Sequence, residues 1–244
     1  MDRLQLDKNA KLTGRVYFKD GVMWLGLSGS GASFTFDGTK LVLKLKGDNI
    51  AVGENPIDYA RIAVYVDGKR VVDEMIDCAE KEVTVIDRTE SAQSVVEIIK
   101  LSESPMSAVG IEAFAEGSAE ALPEKPLKIE FIGDSITCGY GVDDEDENHQ
   151  FTTATEDVTK AYAYKTAKAL DAEYNMFSAS GYGIVSGYTE GDEPISEQTI
   201  PQFYCSYGFS RGNFAGTAPQ DIPWDFSKYV PQIIVINLGT NDDS

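Results

Sequence analysis

Leu127-Lys128-Ile129-Glu130-Phe131-Ile132-Gly133-Asp134-Ser135-Ile136-Thr137 is the stretch on which the fold of this chain turns. Its first six residues form a compact apolar run, the pattern of a strand buried on both faces in a parallel sheet. Gly133 then permits a sharp turn, and Ser135 falls just past the carboxyl end of that strand. Ligands of open α/β sheets bind beyond the carboxyl ends of the strands, so this edge is where chemistry is expected. Taken alone, Gly-Asp-Ser is also an ordinary helix N-cap or Asx turn, since Asp and Ser both serve there.

Downstream the chain alternates. Residues 160–170 (KAYAYKTAKAL) carry helix formers, with Ala163, Ala167 and Leu170 on one side. Tyr174–Ser178 is a second strand candidate, and Gln232–Leu238 is the strongest. Strand, helix, strand, strand predicts an α/β unit with a parallel sheet. Ser178-Ala179-Ser180-Gly181-Tyr182-Gly183 follows the second strand, and Gly239-Thr240-Asn241-Asp242 follows the third. A glycine at a strand end lets a ligand approach the main chain, and an Asn carboxamide is a donor suited to a developing oxyanion. Three strand ends therefore offer a hydroxyl, a backbone N–H and an amide. Gly183 competes with Gly181 for the middle role.

Upstream the chain is strand-like. Leu41–Leu45, Ile62–Val66, Val83–Ile86 and Val95–Ile99 are short β-rich runs. Asp37-Gly38, Gly47-Asp48-Asn49 and Asp67-Gly68 lie between them as turn signals, and Asp-Gly suits a tight hairpin. This pattern predicts an antiparallel β-sandwich of jelly-roll type over residues 1–115. Residues 116–126, small, acidic and rich in proline at their end, read as a linker. Residues 127–244 form the α/β domain.

The chain carries 40 acidic and 21 basic residues, a formal charge of −19. That surface repels phosphate backbones and anionic lipid, so neither nucleic acid nor membrane is an expected partner. A neutral ligand such as a carbohydrate fits better. Cys78, Cys138 and Cys205 are odd in number and far apart, with no disulfide or zinc pattern. The acidic run Asp143–Glu147 lacks the EF-hand glycine and distal glutamate, so a solvated loop is expected. No metal or cofactor is expected. Met1–Gln5 has no apolar signal-peptide core, which predicts a cytoplasmic protein, or a secreted one whose leader was removed.

Gly133-Asp134-Ser135, then Gly181, then Gly239-Thr240-Asn241-Asp242, resemble the first three blocks of the SGNH (GDSL-type) hydrolases. The resemblance implies a flavodoxin-like parallel sheet, Ser135 as nucleophile, and an oxyanion hole of the Ser135 N–H, the Gly181 N–H and the Asn241 side chain. The wider pattern is similar to carbohydrate esterase family 2, the acetyl xylan esterase type: a β-sandwich, then GDSITCGYG at 133–141, then FTTATED at 151–157. That likeness covers essentially the whole chain and implies removal of acetyl groups from plant polysaccharide. Two rivals stand beside it, a non-catalytic carbohydrate-binding protein with a degenerate SGNH domain and an SGNH lipase or thioesterase.

A serine nucleophile needs a base, normally histidine. The family's histidine block is absent up to Ser244, and the chain's one histidine, His149, sits in the acidic stretch, either as an exposed loop residue or folded back toward Ser135. The catalytic His and its Asp are expected beyond Ser244, in a companion segment or chain that completes the site. Gly208-Phe209-Ser210-Arg211-Gly212 matches the G-x-S-x-G nucleophile elbow, but no helix can follow it through Gly216 and Pro219. A loop over the cleft is expected there, its aromatics Phe203, Tyr204, Tyr207 and Phe209 either lining the cleft or packing loop to domain.

Overall fold

A computed structural model of the protein describes residues 1–214 and 216–243. Ser244, past which the base is expected, lies outside them. The elements run β1 (Asp2–Leu4), α1 (Leu6–Asn9), β2 (Lys11–Thr13), β3 (Val16–Lys19), β4 (Val22–Leu25), β5 (Gly31–Gly47), β6 (Ala60–Val66), β7 (Lys69–Ile76), β8 (Glu80–Lys100) and β9 (Val109–Ala121). After them come β10 (Lys128–Gly133), α2 (Ser135–Cys138), α3 (Tyr162–Ala169), β11 (Glu173–Ser178), α4 (Ile200–Phe203) and β12 (Ile233–Asn237).

Strands β1–β9 make one nine-stranded antiparallel sheet, with the path β3-β4-β9-β5-β8-β6-β7. Its centre is β5, paired with β8 on one side and β9 on the other. The large apolar residues of β5 that are 0% exposed are Phe34 and Phe36, then Leu41, Leu43 and Leu45. Their parity changes in mid-strand. The register shift between Gly38 and Lys40 supplies the reason. One extra residue turns over the alternation of a strand, so both halves of β5 face the same core.

Asp37-Gly38 is therefore not a hairpin. Gly38 lies within β5 against Gly117 of β9, where a Cβ would meet Glu116 O at 2.3 Å and Gly117 Cα at 2.7 Å. The glycine serves close backbone approach rather than a turn. Asp67-Gly68 is the hairpin, with φ of 50° and 78° joining β6 to β7, the positive values that a type I′ turn requires. Residues 116–121, read as linker from their small and acidic composition, continue β9 opposite Lys40 to Phe34.

The second sheet has three parallel strands in the order β11-β10-β12. Its face carrying Ile129, Phe131, Tyr174 and Met176 packs with Ala163 and Ala167 of α3 and with Ala63, Ile99 and Leu101 from the large sheet. Leu170, expected on the buried side of that helix, is its exposed C-cap; the apolar stripe uses Tyr164 instead. Beyond Ile132 and Phe177, a smaller cluster joins Leu27 to Ile200 and Phe209. β12 is an edge strand whose Ile233, Ile234 and Ile236 are 43%, 54% and 63% exposed. Among the described residues no helix is long and apolar enough to cross a membrane.

Candidate active site

Register places the three strand ends side by side. Gly133, the last residue of β10, is level with Ser178 of β11 and with Asn237 of β12. The segments that leave these positions all emerge at one edge of the sheet. They carry Ser135, Gly181 and Asn241.

Ser135 is the first residue of α2, a single helical turn. Asp134 caps it, Oδ1 accepting the Ile136 N–H at 3.0 Å, and Gly139 ends it at φ 84°. The turn folds back so tightly over the strand end that a Cβ at position 133 would lie 2.0 Å from Thr137 Oγ1. Asp134 is enclosed, and burial pushes its carboxyl above the usual range despite the Ile136 amide. Ser135 is half-buried. Among the described residues neither its Oγ nor its N–H makes a hydrogen bond; the unused N–H is one of the donors that every helix start leaves over.

Gly181 follows β11 at φ 77° and is half-buried, with open space where a Cβ would point. Its carbonyl accepts the Tyr188 N–H at 2.8 Å, while its own N–H has no acceptor among the described residues. Gly183 differs. It is buried, its N–H donates to Gln198 O at 3.3 Å, and a Cβ there would meet Ser186 O at 2.1 Å. Of the two glycines the sequence leaves in competition, Gly181 has the N–H open to a ligand.

Asn241 is buried, 7% exposed, in the 3₁₀ turn Thr240–Asp243. Its Nδ2 donates to Tyr182 O at 2.8 Å, which orients the carboxamide against the Gly181 loop. Asp242 holds the same loop from beside it. Its carboxylate accepts the N–H groups of Ile184, Val185 and Ser186 at 2.8, 2.6 and 3.0 Å. Burial raises the Asp242 carboxyl pKa, but the three amides outweigh burial and hold it below the usual range. Sequence reading assigned Asp242 to the strand-end block without this clamping role.

His149 is not part of this edge. Its side chain is 64% exposed in the acidic loop, with Nδ1 2.8 Å from Asp144 Oδ1. In the same loop Asp143 faces two cations, Arg61 at 2.9 Å and Lys160. The G-x-S-x-G segment is no elbow. Ser210 Oγ donates to Met106 O at 3.2 Å, and no strand precedes or helix follows it among the described residues. Two of the aromatics beside it are packed: Tyr207 is 1% exposed and donates to Trp24 O, and Phe209 is 4% exposed and stacks on Phe203 at 4.4 Å. Cys78, Cys138 and Cys205 are all free thiols.

Comparison with known proteins says what the chain as a whole is similar to. Residues 12–126 match the family model "Carbohydrate esterase 2 N-terminal". The acetylxylan esterase / glucomannan deacetylase of Cellvibrio japonicus is 29% identical over 245 residues, covering 98% of this chain and 62% of that protein. The cellulase/esterase CelE of Acetivibrio thermocellus is 43% identical over 133 residues, 54% of this chain and 15% of that protein. The structure of a family two carbohydrate esterase from Clostridium thermocellum in complex with cellohexaose superposes with a TM-score of 0.78 at 29% identity, covering 96% of this chain and 67% of that one. The chain thus spans less than two thirds of the length of both sequence relatives. Residues 12–126 are thus similar to the carbohydrate esterase 2 N-terminal domain and the fold superposes on a family two enzyme, which makes this chain a relative of carbohydrate esterase family 2.

Proposed function

We propose that the chain carries the acyl-transfer centre of a carbohydrate O-acetyl esterase acting on acetylated plant polysaccharide. In this reading the large sheet is the family's jelly-roll module and residues 127–244 its SGNH-type domain. One observation carries the proposal: a serine with an unengaged Oγ and N–H and a glycine with an unengaged N–H leave adjacent, level strand ends, next to a buried carboxamide. The names of the relatives add the substrate class.

Ser135 Oγ attacks the acetyl carbonyl and gives its proton to a base. The oxyanion takes hydrogen bonds from the Ser135 N–H, the Gly181 N–H and the Asn241 amide. Collapse breaks the bond to the sugar oxygen, which leaves protonated, and water then cleaves the acyl-serine to acetate. Each oxyanion donor contributes about 2.7–4 kcal/mol in enzymes of this kind. His149 is exposed and engaged with Asp144 in its acidic loop, and in this reading the base comes from a companion segment. The bare apolar edge of β12 is where that segment adds its strand, since an exposed edge of this kind pairs readily.

Acetate release from acetylated xylan or glucomannan tests the reading. Ser135→Ala abolishes release by the completed enzyme, a loss of roughly 10⁶-fold. Residues 1–244 alone retain roughly the 10³-fold over water that binding and an oxyanion hole sustain. Full activity of Ser135→Ala refutes the proposal.

A further inference from the structure

Beneath the site lies a group of ionisable side chains with no access to solvent. Lys100 at the end of β8, Glu103 in the loop that follows, and Glu156 in the loop before α3 are each 0% exposed, and so is Cys138 of α2. Glu103 Oε2 accepts the Ser180 N–H at 2.6 Å and faces Cys138 Sγ at 3.8 Å. Glu156 Oε2 accepts the Glu103 N–H at 2.9 Å. Lys100 Nζ donates to Ser102 O at 2.7 Å and to Glu103 O at 3.0 Å. The other oxygen of each carboxyl, Glu103 Oε1 and Glu156 Oε1, is buried without a partner.

We infer that Glu103 and Glu156 share one proton, and that the ionised Glu103 is a positioning residue which, by gripping the Ser180 amide, aims the adjacent Gly181 N–H at the reacting carbonyl. The inference rests on the esterase reading for its second half only. Charge carries the first half. Two carboxylates and one ammonium leave an uncompensated negative charge in an enclosed space, and isolated buried charge is neutralised rather than tolerated. One proton on the pair, which offers one oxygen each within 4.8 Å of the other, removes it.

The other groups facing the pair do not supply the missing positive charge. The Asp48 carboxylate is already bonded to the Ile50, Ala51 and Ala108 amides and to Ser107 Oγ. The Arg61 guanidinium is taken by Asp73 and Asp143. Burial pushes the Cys138 thiol and the Tyr140 phenol up, which keeps both neutral. Burial likewise raises both Glu carboxyls and pulls the Lys100 ammonium down to about 8. Glu156 is the protonated partner. Its carboxyl accepts one amide, whereas Glu103 accepts a short amide bond and a thiol. Glu103, Cys138 and Glu156 also offer ligand atoms within 4.8 Å of one another, but a divalent cation there would share the space with the Lys100 ammonium.

The experiment compares Glu156→Gln with Glu103→Gln. A glutamine at 156 keeps a neutral side chain with a donor, so the Ser180 amide proton stays far downfield in the ¹⁵N-labelled chain and acetyl-ester hydrolysis by the completed enzyme stays within about threefold. Glu103→Gln removes the charge that grips Ser180. Its amide resonance moves upfield and kcat falls roughly 10²-fold with KM little changed, as for a misaligned oxyanion donor. Equal loss in both variants with an unmoved Ser180 resonance would make the pair merely structural and overturn the proposal. Stoichiometric metal in the purified protein, lost in both variants, overturns it too. If Glu103→Gln does not fold, the carboxyl ¹³C shifts of the unmutated chain decide: Glu156 protonated and Glu103 ionised at neutral pH support the pair, and both ionised refute it. Retained activity in Ser135→Ala sinks the esterase reading while leaving these resonances to judge the pair.

Discussion

Arg15 of the antiparallel part of the chain and Glu130 of the central parallel strand meet at 3.5 Å with their side chains 0% and 5% exposed. The guanidinium lies between the rings of Phe177 and Tyr204, at 4.3 and 4.9 Å from their centres, and donates to the carbonyls of Tyr204 and Ser206. Glu130 in turn accepts from Asn175 Nδ2 at 2.7 Å and from Tyr204 OH at 2.6 Å. This pair ties the strand that delivers Ser135 to the segment between β2 and β3. The two sheets are joined by a polar contact inside an aromatic box.

Removing one member of a buried pair strands the other, at about 3–5 kcal/mol. Glu130→Leu is therefore expected to lower the urea midpoint sharply. Arg15→Met with Glu130→Leu should recover much of that loss, because an apolar pair of similar volume escapes the desolvation penalty. Equilibrium unfolding of the two variants checks this, and a double variant weaker than the single one contradicts it.

The two glycines of the site differ in what they tolerate. Gly133→Ala drives a methyl into Thr137 Oγ1 and Cβ, at 2.0 and 2.7 Å. Overpacking of that kind costs about 1–3 kcal/mol, and it displaces α2 with Ser135 on it. Gly181→Ala meets no atom, and its penalty is the left-handed backbone at φ 77°, about 1–2 kcal/mol. Thermal melts should show similar small losses, while reaction of Ser135 with a fluorophosphonate probe in the completed enzyme should fall much further in Gly133→Ala.

Asp242 makes the stability of the Gly181 loop depend on acid. Burial works against its charge, yet the Val185, Ile184 and Ser186 amides hold its folded pKa below the unfolded value. A depressed carboxyl adds stability that is fully present above its unfolded pKa and is lost as pH falls through the folded one. The difference in melting temperature between the unmutated chain and Asp242→Asn should thus be largest near neutral pH and shrink once the pH falls below the ordinary aspartate range. A difference that does not change with pH would show that the charge of Asp242 is not what clamps the loop.

The three parallel strands were legible because each is an apolar run bounded by turn residues: Leu127–Ile132, Tyr174–Ser178 and Gln232–Leu238. Their parallel order then put Ser135, Gly181 and Asn241 on one edge with no further information. β5 and β8 were read as short pieces because a bulge at Gly38–Lys40 reverses the apolar parity, and a reversal looks like a break. Glu103 left no trace in the sequence. Its partners Glu156 and Ser180 lie 53 and 77 positions away, and no local pattern marks a carboxyl that is useful only once two sheets have closed on it. The choice between Gly181 and Gly183 was equally hidden, since it depends on whether the carbonyl of Gln198 takes the N–H.

In the proposed mechanism Asn241 separates binding from catalysis. Its carboxamide is fixed on the Tyr182 carbonyl at 2.8 Å and 7% exposed, so its direction is set before a substrate arrives. A pre-set donor gains strength only as charge grows on the acyl oxygen, which is a contribution to the transition state and not to the ground state. Asn241→Ala in the completed enzyme is therefore expected to lower kcat by roughly 10²–10³-fold on an acetylated oligosaccharide. KM should stay close to its original value, because the sugar makes its contacts elsewhere. The Tyr182 carbonyl loses its donor in the same variant, so Asn241→Asp serves as a steric control: it keeps the shape, loses the donor, and sets a negative charge beside the forming oxyanion. Steady-state kinetics that show Asn241→Asp as active as the unmutated enzyme, or an effect of either substitution on KM alone, would remove Asn241 from the oxyanion hole.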